Sequence, residues 1–342
     1  MPVISGATSG FRLRARLAIR GRPGSPRIGL FEPGTHRVVH IPHCSIHHPL
    51  INRVAAVVRR ALVDAAVTTY SEGGHRGIAR YLQVVVERSS QRAQVVLVAN
   101  AATAEPLSAC LELIHERLGD ELHSLWLNRQ CERTNTILGP YFQHWCGPAS
   151  VVEHFGGAAV HYPPGAFGQN NLDIAERIVA QVREWVPPGA RVMEFYAGVG
   201  AIGLSLLERA RQLCLNELGS GSLEGLALGL AGLTPAQRAM VEVVSGTAGA
   251  AAAHPALSGS DVVIADPPRK GLDLDLVQQL CERPPARLVY VSCDLASLAA
   301  DTARLTEGGA LRLCELRAFN LIPFTDHVET LARFERVDQP CA

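Results

Sequence analysis

Residues 191–203 read RVMEFYAGVGAIG. A run of strand character, RVMEFY, ends in Gly198, Gly200 and Gly203, the spacing G-x-G-x-x-G, and a helix is expected to follow. Glycines at such a turn let the backbone bend tightly and approach a ligand, and a carboxylate at the end of the next strand can hold a ribose hydroxyl pair. Glu217, which closes the run QLCLNE, has that place. The pattern points to a nucleotide or nucleoside and leaves a nicotinamide cofactor and S-adenosylmethionine both open.

Outward from this stretch, helix and strand alternate. A helix over 170–186 stops at Pro187-Pro188-Gly189, strands follow at 212–217, 240–245, 261–265 and 286–292 with a helix at 222–231, and a last pair of strands lies at 311–318 and 328–336. Strands separated by about 10 to 15 helical residues predict a mainly parallel, doubly wound sheet. Residues 161–342 are therefore expected to form a Rossmann-like α/β domain whose ligand lies beyond the carboxyl ends of the strands.

Residues 1–160 read as a smaller α+β domain without internal repeats. Arg12–Arg20 alternates charged and apolar residues, and Pro23, Gly24 and Pro26 mark a turn. Further strands are expected at 27–31, 36–41, 80–87, 93–99, 123–128 and 134–138, with helices at 49–67 and 105–118.

The 342 residues, 47% of them hydrophobic, carry 32 basic and 32 acidic side chains, which excludes disordered and collagen-like chains. No apolar run reaches the roughly 18 to 20 residues of a membrane span, and the first ten residues lack a secretory core, so a cytoplasmic monomer is expected. Nine scattered cysteines without a C-x-x-C offer neither a zinc ribbon nor a disulfide framework, and no metal is expected. Charge is uneven. Residues 1–60 hold ten arginines and one acid, Glu32, a balance that suits a polyanion or reflects composition alone.

Three more motifs fall at strand ends. Asp266-Pro-Pro-Arg269-Lys-Gly271 follows the apolar run DVVIA, and its prolines fix a rigid loop that carries Asp266. Tyr290-Val-Ser-Cys293-Asp294 places a thiol that is either a nucleophile or a small core residue. His327-Val-Glu329 puts two polar groups two apart at the start of a strand, where both point to one face. Glu329 is then a general-base candidate, or the pair caps the sheet edge.

AGVG, DPPRKG, YVSCD and LIPFTDHVE, in that order, resemble the RNA (uracil-5-)-methyltransferase family, whose members make 5-methyluridine in tRNA and ribosomal RNA. The likeness covers about residues 160 to 336, with Phe167-Gly-Gln169-Asn170-Asn171 similar to the family's F-x-Q-x-N. It implies a class I methyltransferase domain that uses S-adenosylmethionine, with Gln169, Tyr196, Gly198, Gly200, Glu217 and Asp266 around the cofactor. It also implies that Gln169, Arg269 and His327 bind RNA, and that Cys293 attacks carbon 6 of the uracil while Glu329 takes the proton from carbon 5. Three departures stand out. No room for the family's small β-barrel precedes Arg12; Cys44 resembles the last ligand of an iron–sulfur cluster whose other three cysteines are missing; and SCD replaces the usual SCN. Cys44-x-x-His47-His48 lacks a second pair of metal ligands. The alternatives are an inactive RNA-binding protein on the same fold and a Rossmann-type oxidoreductase.

Overall fold

The computed structural model describes residues 2–22 and 24–337, so Pro23 of the expected turn lies outside the described residues. The chain divides into two compact units, one of Met1–Gly6, His154–Tyr162 and Ala166–Ala342, the other of Ala7–Glu153 and Pro163–Gly165.

The first unit is a doubly wound α/β sheet. Its eight strands run in the order Val3–Ile4, Leu311–Phe319, Glu329–Arg336, Arg287–Ser292, Val262–Ala265, Arg191–Phe195, Gln212–Glu217 and Val241–Ser245. All pair in parallel except Glu329–Arg336, which is antiparallel to both its neighbours. The central strands are covered on both faces, which is why VVIA and the LVYV of RLVYVS form unbroken buried runs rather than alternating. On one face Met193, Val263 and Leu288 pack with Leu276 and Leu280 of helix Leu274–Glu282 and with Leu298 and Leu305 of helix Leu295–Glu307. Asn171 caps helix Leu172–Trp185 by accepting the Ile174 amide proton.

The second unit is a seven-stranded sheet in the order Val38–His40, Ser25–Phe31, Arg14–Arg22, Ala79–Val86, Ala93–Ala99, Leu122–Arg129 and Tyr141–Cys146. Only Ala93–Ala99 and Leu122–Arg129 pair in parallel. Helices Pro49–Asp64 and Ser108–Leu118 carry the buried apolar stripes that cover it.

Three sequence expectations are corrected. The strand expected at 134–138 is a loop, because the buried Arg80 guanidinium takes up the carbonyls of Gln130, Glu132 and Thr134; the edge strand is Tyr141–Cys146. The helix expected after Gly203 is a set of turns with one 3-10 turn at Leu204–Leu206. The strand expected over Arg12–Arg20 runs over Arg14–Arg22; Arg12 instead bonds through its backbone to Ile46 and His48. Strand Val3–Ile4 and the ribbon Val151–Phe155 with Ala158–Tyr162 were not foreseen. No helix among the described residues is long and apolar enough to cross a membrane.

Candidate active site

Sheet topology brings the motifs to one edge. Strands Arg287–Ser292, Val262–Ala265 and Arg191–Phe195 are parallel neighbours, so Cys293, Asp266 and Tyr196 each follow a carboxyl end on the same side. Strand Glu329–Arg336 runs the other way and therefore begins at that edge. Ser292 pairs with Thr330, which sets Cys293 and Glu329 at successive positions on adjacent strands.

Burial governs the charges here. Glu329 is 5% exposed, and desolvation, reinforced by Asp266, pushes its carboxyl up to about 8. Desolvation pushes Asp266 up to about 7. The half-buried Cys293 thiol is raised first by burial, then by the nearby Glu329 and Asp266 carboxyls, while Arg269 pulls in the opposite direction. Behind them Glu194, 1% exposed, is held well above the usual carboxylate range by burial and then by Asp266. The edge thus collects acids that hold protons near neutrality, together with a thiol that needs a base before it can attack.

The glycine turn is fixed by Glu217. Its carboxylate accepts the amide protons of Gly198 at 2.7 Å, Leu218 at 2.9 Å and Gly219 at 2.5 Å. Gly198 has φ +59°, with open space where a side chain would begin. At Gly203 a Cβ would come within 2.3 Å of Glu194 Oε2, so only glycine lets the turn pack on that carboxyl. Tyr196 has φ +60°, and its hydroxyl oxygen accepts the Asp273 amide proton at 3.1 Å. An open glycine turn with a carboxylate at the adjacent strand end fits a nucleoside cofactor.

The loop that carries Asp266 is held from below by Asp301, a buried acid that sequence reasoning passed over. Asp301 Oδ2 accepts from the Leu272 amide at 2.9 Å and the Tyr290 hydroxyl at 2.8 Å, while Oδ1 pairs with Arg304 at 2.9 Å. Ser297 Oγ donates to the Arg269 carbonyl at 2.6 Å. Arg269 Nη2 lies 3.1 Å from His327 Nε2, and since a guanidinium can only donate, the ring proton is on Nδ1. His327 is exposed in the loop before the strand, whereas Glu329 is buried on it, so the expected shared face does not hold for the pair. The SCD departure has a structural reason. Asp294 caps helix Leu295–Glu307, its Oδ1 accepting the Ser297 amide proton at 2.8 Å, a role Asn fills equally well.

Gln169 lies partly exposed in the segment before helix Leu172–Trp185 and, among the described residues, makes no hydrogen bond to the other candidates. Among the described residues, Cys214, Glu242 and His254 bring donor atoms within 4.8 Å of one another. His254 Nδ1 accepts the Ala256 amide proton, so Nε2 carries the ring proton and faces Glu242 at 3.4 Å.

Comparison with known proteins agrees with the geometry. Residues 258–337, which hold Asp266, Cys293 and Glu329, match the model of the tRNA (uracil-5-)-methyltransferase family. The chain is 35% identical over 97% of its length to a protein named an uncharacterized RNA methyltransferase of Protochlamydia amoebophila, of which it covers 87%. The chain belongs to the RNA (uracil-5-)-methyltransferase family. A second member of this kind, from Gloeobacter violaceus, is 30% identical over 96% of the chain, which covers 70% of that protein. The fold matches that of the Pyrococcus abyssi tRNA (uracil-54, C5)-methyltransferase bound to S-adenosyl-L-homocysteine, with a TM-score of 0.81 at 21% identity, over 97% of this chain and 78% of that one.

Proposed function

We propose that this methyltransferase modifies carbon 5 of a uridine in tRNA or ribosomal RNA through a covalent adduct on Cys293 that Glu329 resolves. The observation that carries the reading is the register placing Cys293 beside the buried Glu329, with Asp266 between their strands and the glycine turn. Carbon 5 of uracil is a weak nucleophile. Addition of the Cys293 thiolate to carbon 6 forms the S–C6 bond and moves the C5–C6 electron pair onto carbon 5. Gly198, Gly200, Tyr196 and Glu217 would hold S-adenosylmethionine, which when bound would supply the methyl group that carbon 5 takes up. Glu329 then removes the carbon 5 proton, the C5–C6 double bond re-forms, and the thiolate leaves. Arg269, with its partner His327, and Gln169 face the RNA. The target base has to leave its stack to reach the thiol.

The reading is tested by mass spectrometry of 5-methyluridine in tRNA and ribosomal RNA with and without the gene. Loss of the modified base from one RNA class supports it, and unchanged 5-methyluridine in both overturns it. Glu217→Ala is expected to weaken S-adenosylmethionine binding by about 1 to 3 kcal/mol, the scale of a charged hydrogen bond, because the carboxylate that holds the Gly198 amide of the turn is lost. Calorimetry that finds parental affinity would place the cofactor elsewhere.

A further inference from the structure

The arginines of residues 12–60 differ sharply in how far the fold has already used them. Arg12 donates through Nε to the Arg14 carbonyl, and Arg16 to Gln83 Oε1 at 2.7 Å. Arg37 grips both oxygens of Glu32, Arg59 reaches the Pro26 carbonyl, and Arg60 pairs with Asp64. Arg20 pairs with Glu72 at 2.5 Å, donates to two carbonyls, and lies 5.1 to 5.3 Å from the ring centres of Phe31, Tyr70 and Tyr81. By contrast Arg22 and Arg27 are exposed and, among the described residues, have no ion pair or hydrogen bond through their side chains.

These two line one cavity. The hairpin of Arg14–Arg22 and Ser25–Phe31 sets Arg20 directly opposite Arg27, with Arg22 opposite Ser25. Arg20, Arg22 and Arg27 therefore share a face of the sheet. Like charges facing each other across strands are destabilising, and Glu72 answers only Arg20, its second oxygen being taken by His36 at 2.5 Å. The cavity these residues bound, with Arg37 and Tyr70, has a volume of about 810 Å³, room for a nucleotide. Glu72, the one acid in its lining, is spent on Arg20 and His36, Arg37 is paired with Glu32, and the two unanswered guanidiniums leave the cavity net positive.

We propose that this cavity binds the phosphate backbone of the substrate RNA, with Arg22 and Arg27 as the contacting cations. The inference rests on the RNA reading above. Arg12 and Arg16, by contrast, are already held by the protein. Guanidinium groups pair with phosphate oxygens in a planar, two-point geometry, and each contact releases counterions from the RNA.

The test uses the full chain, total tRNA and a labelled 20-nucleotide single-stranded RNA. Binding is measured from low to moderate salt for the parent, the Arg22→Ala/Arg27→Ala double variant and the Arg22→Lys/Arg27→Lys double variant. The alanine variant is expected to lose about 1 to 2 units from the slope of log affinity against log salt, and the lysine variant to recover most of that loss. S-adenosylmethionine affinity and the circular dichroism spectrum should match the parent in both. A parental slope in the alanine variant overturns the proposal while leaving the RNA reading intact, as does weakened binding at an unchanged slope. A parent that binds neither RNA overturns both.

Discussion

A Glu329→Gln protein given substrate RNA and S-adenosylmethionine is expected to accumulate a protein–RNA complex that survives denaturation, and Cys293→Ala is expected to accumulate none. The two roles are sequential, so the variants fail at different points. Without the Cys293 sulfur the S–C6 bond cannot form, and carbon 5 stays unreactive. Glutamine at 329 leaves the thiol in place but cannot accept the carbon 5 proton, so the adduct forms and is not released. Turnover should fall by about 10²- to 10⁴-fold in Glu329→Gln, the contribution of a positioned base, and at least as far in Cys293→Ala. RNA containing 5-fluorouridine should trap the parent in the same way, because fluorine cannot leave as a proton does. Methyl transfer persisting in Cys293→Ala would sink the covalent route.

The site was legible in the sequence to the extent that strand ends were legible. DVVIA, ARLVYVS and RVMEFY are apolar runs with abrupt polar ends, and a doubly wound sheet puts every such end of a parallel strand on one side. What motif spacing could not give was the order of the strands. That Cys293 neighbours Glu329 follows from the single antiparallel strand, a long-range pairing that no local pattern encodes. Asp301 did leave a signal. Leu298, Asp301 and Leu305 recur at helical spacing, which placed a lone acid on an apolar stripe and asked for buried partners. The arginines were readable only as a sum. Alternation put Arg12, Arg14, Arg16 and Arg20 on one face, but which of them finds a side-chain partner depends on Glu72 and Gln83, more than 50 residues away in the chain.

Glu329 should cost the protein stability in the range where it works. Its carboxyl is pushed up to about 8 in the folded chain and titrates near its ordinary 4.5 once unfolded. Between those values the folded state holds a proton that the unfolded state has lost, so stability falls as pH rises through this window and levels off above it. Below about 4.5 both states are protonated and the penalty vanishes. Asp266, pushed up to about 7, acts with the same sign. Glutamine at 329 resembles the protonated acid and never ionises. Glu329→Gln should therefore unfold like the parent at pH 5 and be more stable at pH 8.5, by about 2 to 4 kcal/mol after discounting the full shift for relaxation around the charge. The parent's turnover should rise over the same interval, because a base must be ionised and the Cys293 thiol must lose its proton. Thermal unfolding midpoints of the two proteins at the two pH values decide the matter. A variant less stable than the parent at pH 8.5 would mean that the ionised carboxylate is stabilised by its surroundings, and Glu329 would then be a structural anion of the sheet edge rather than a base held in reserve.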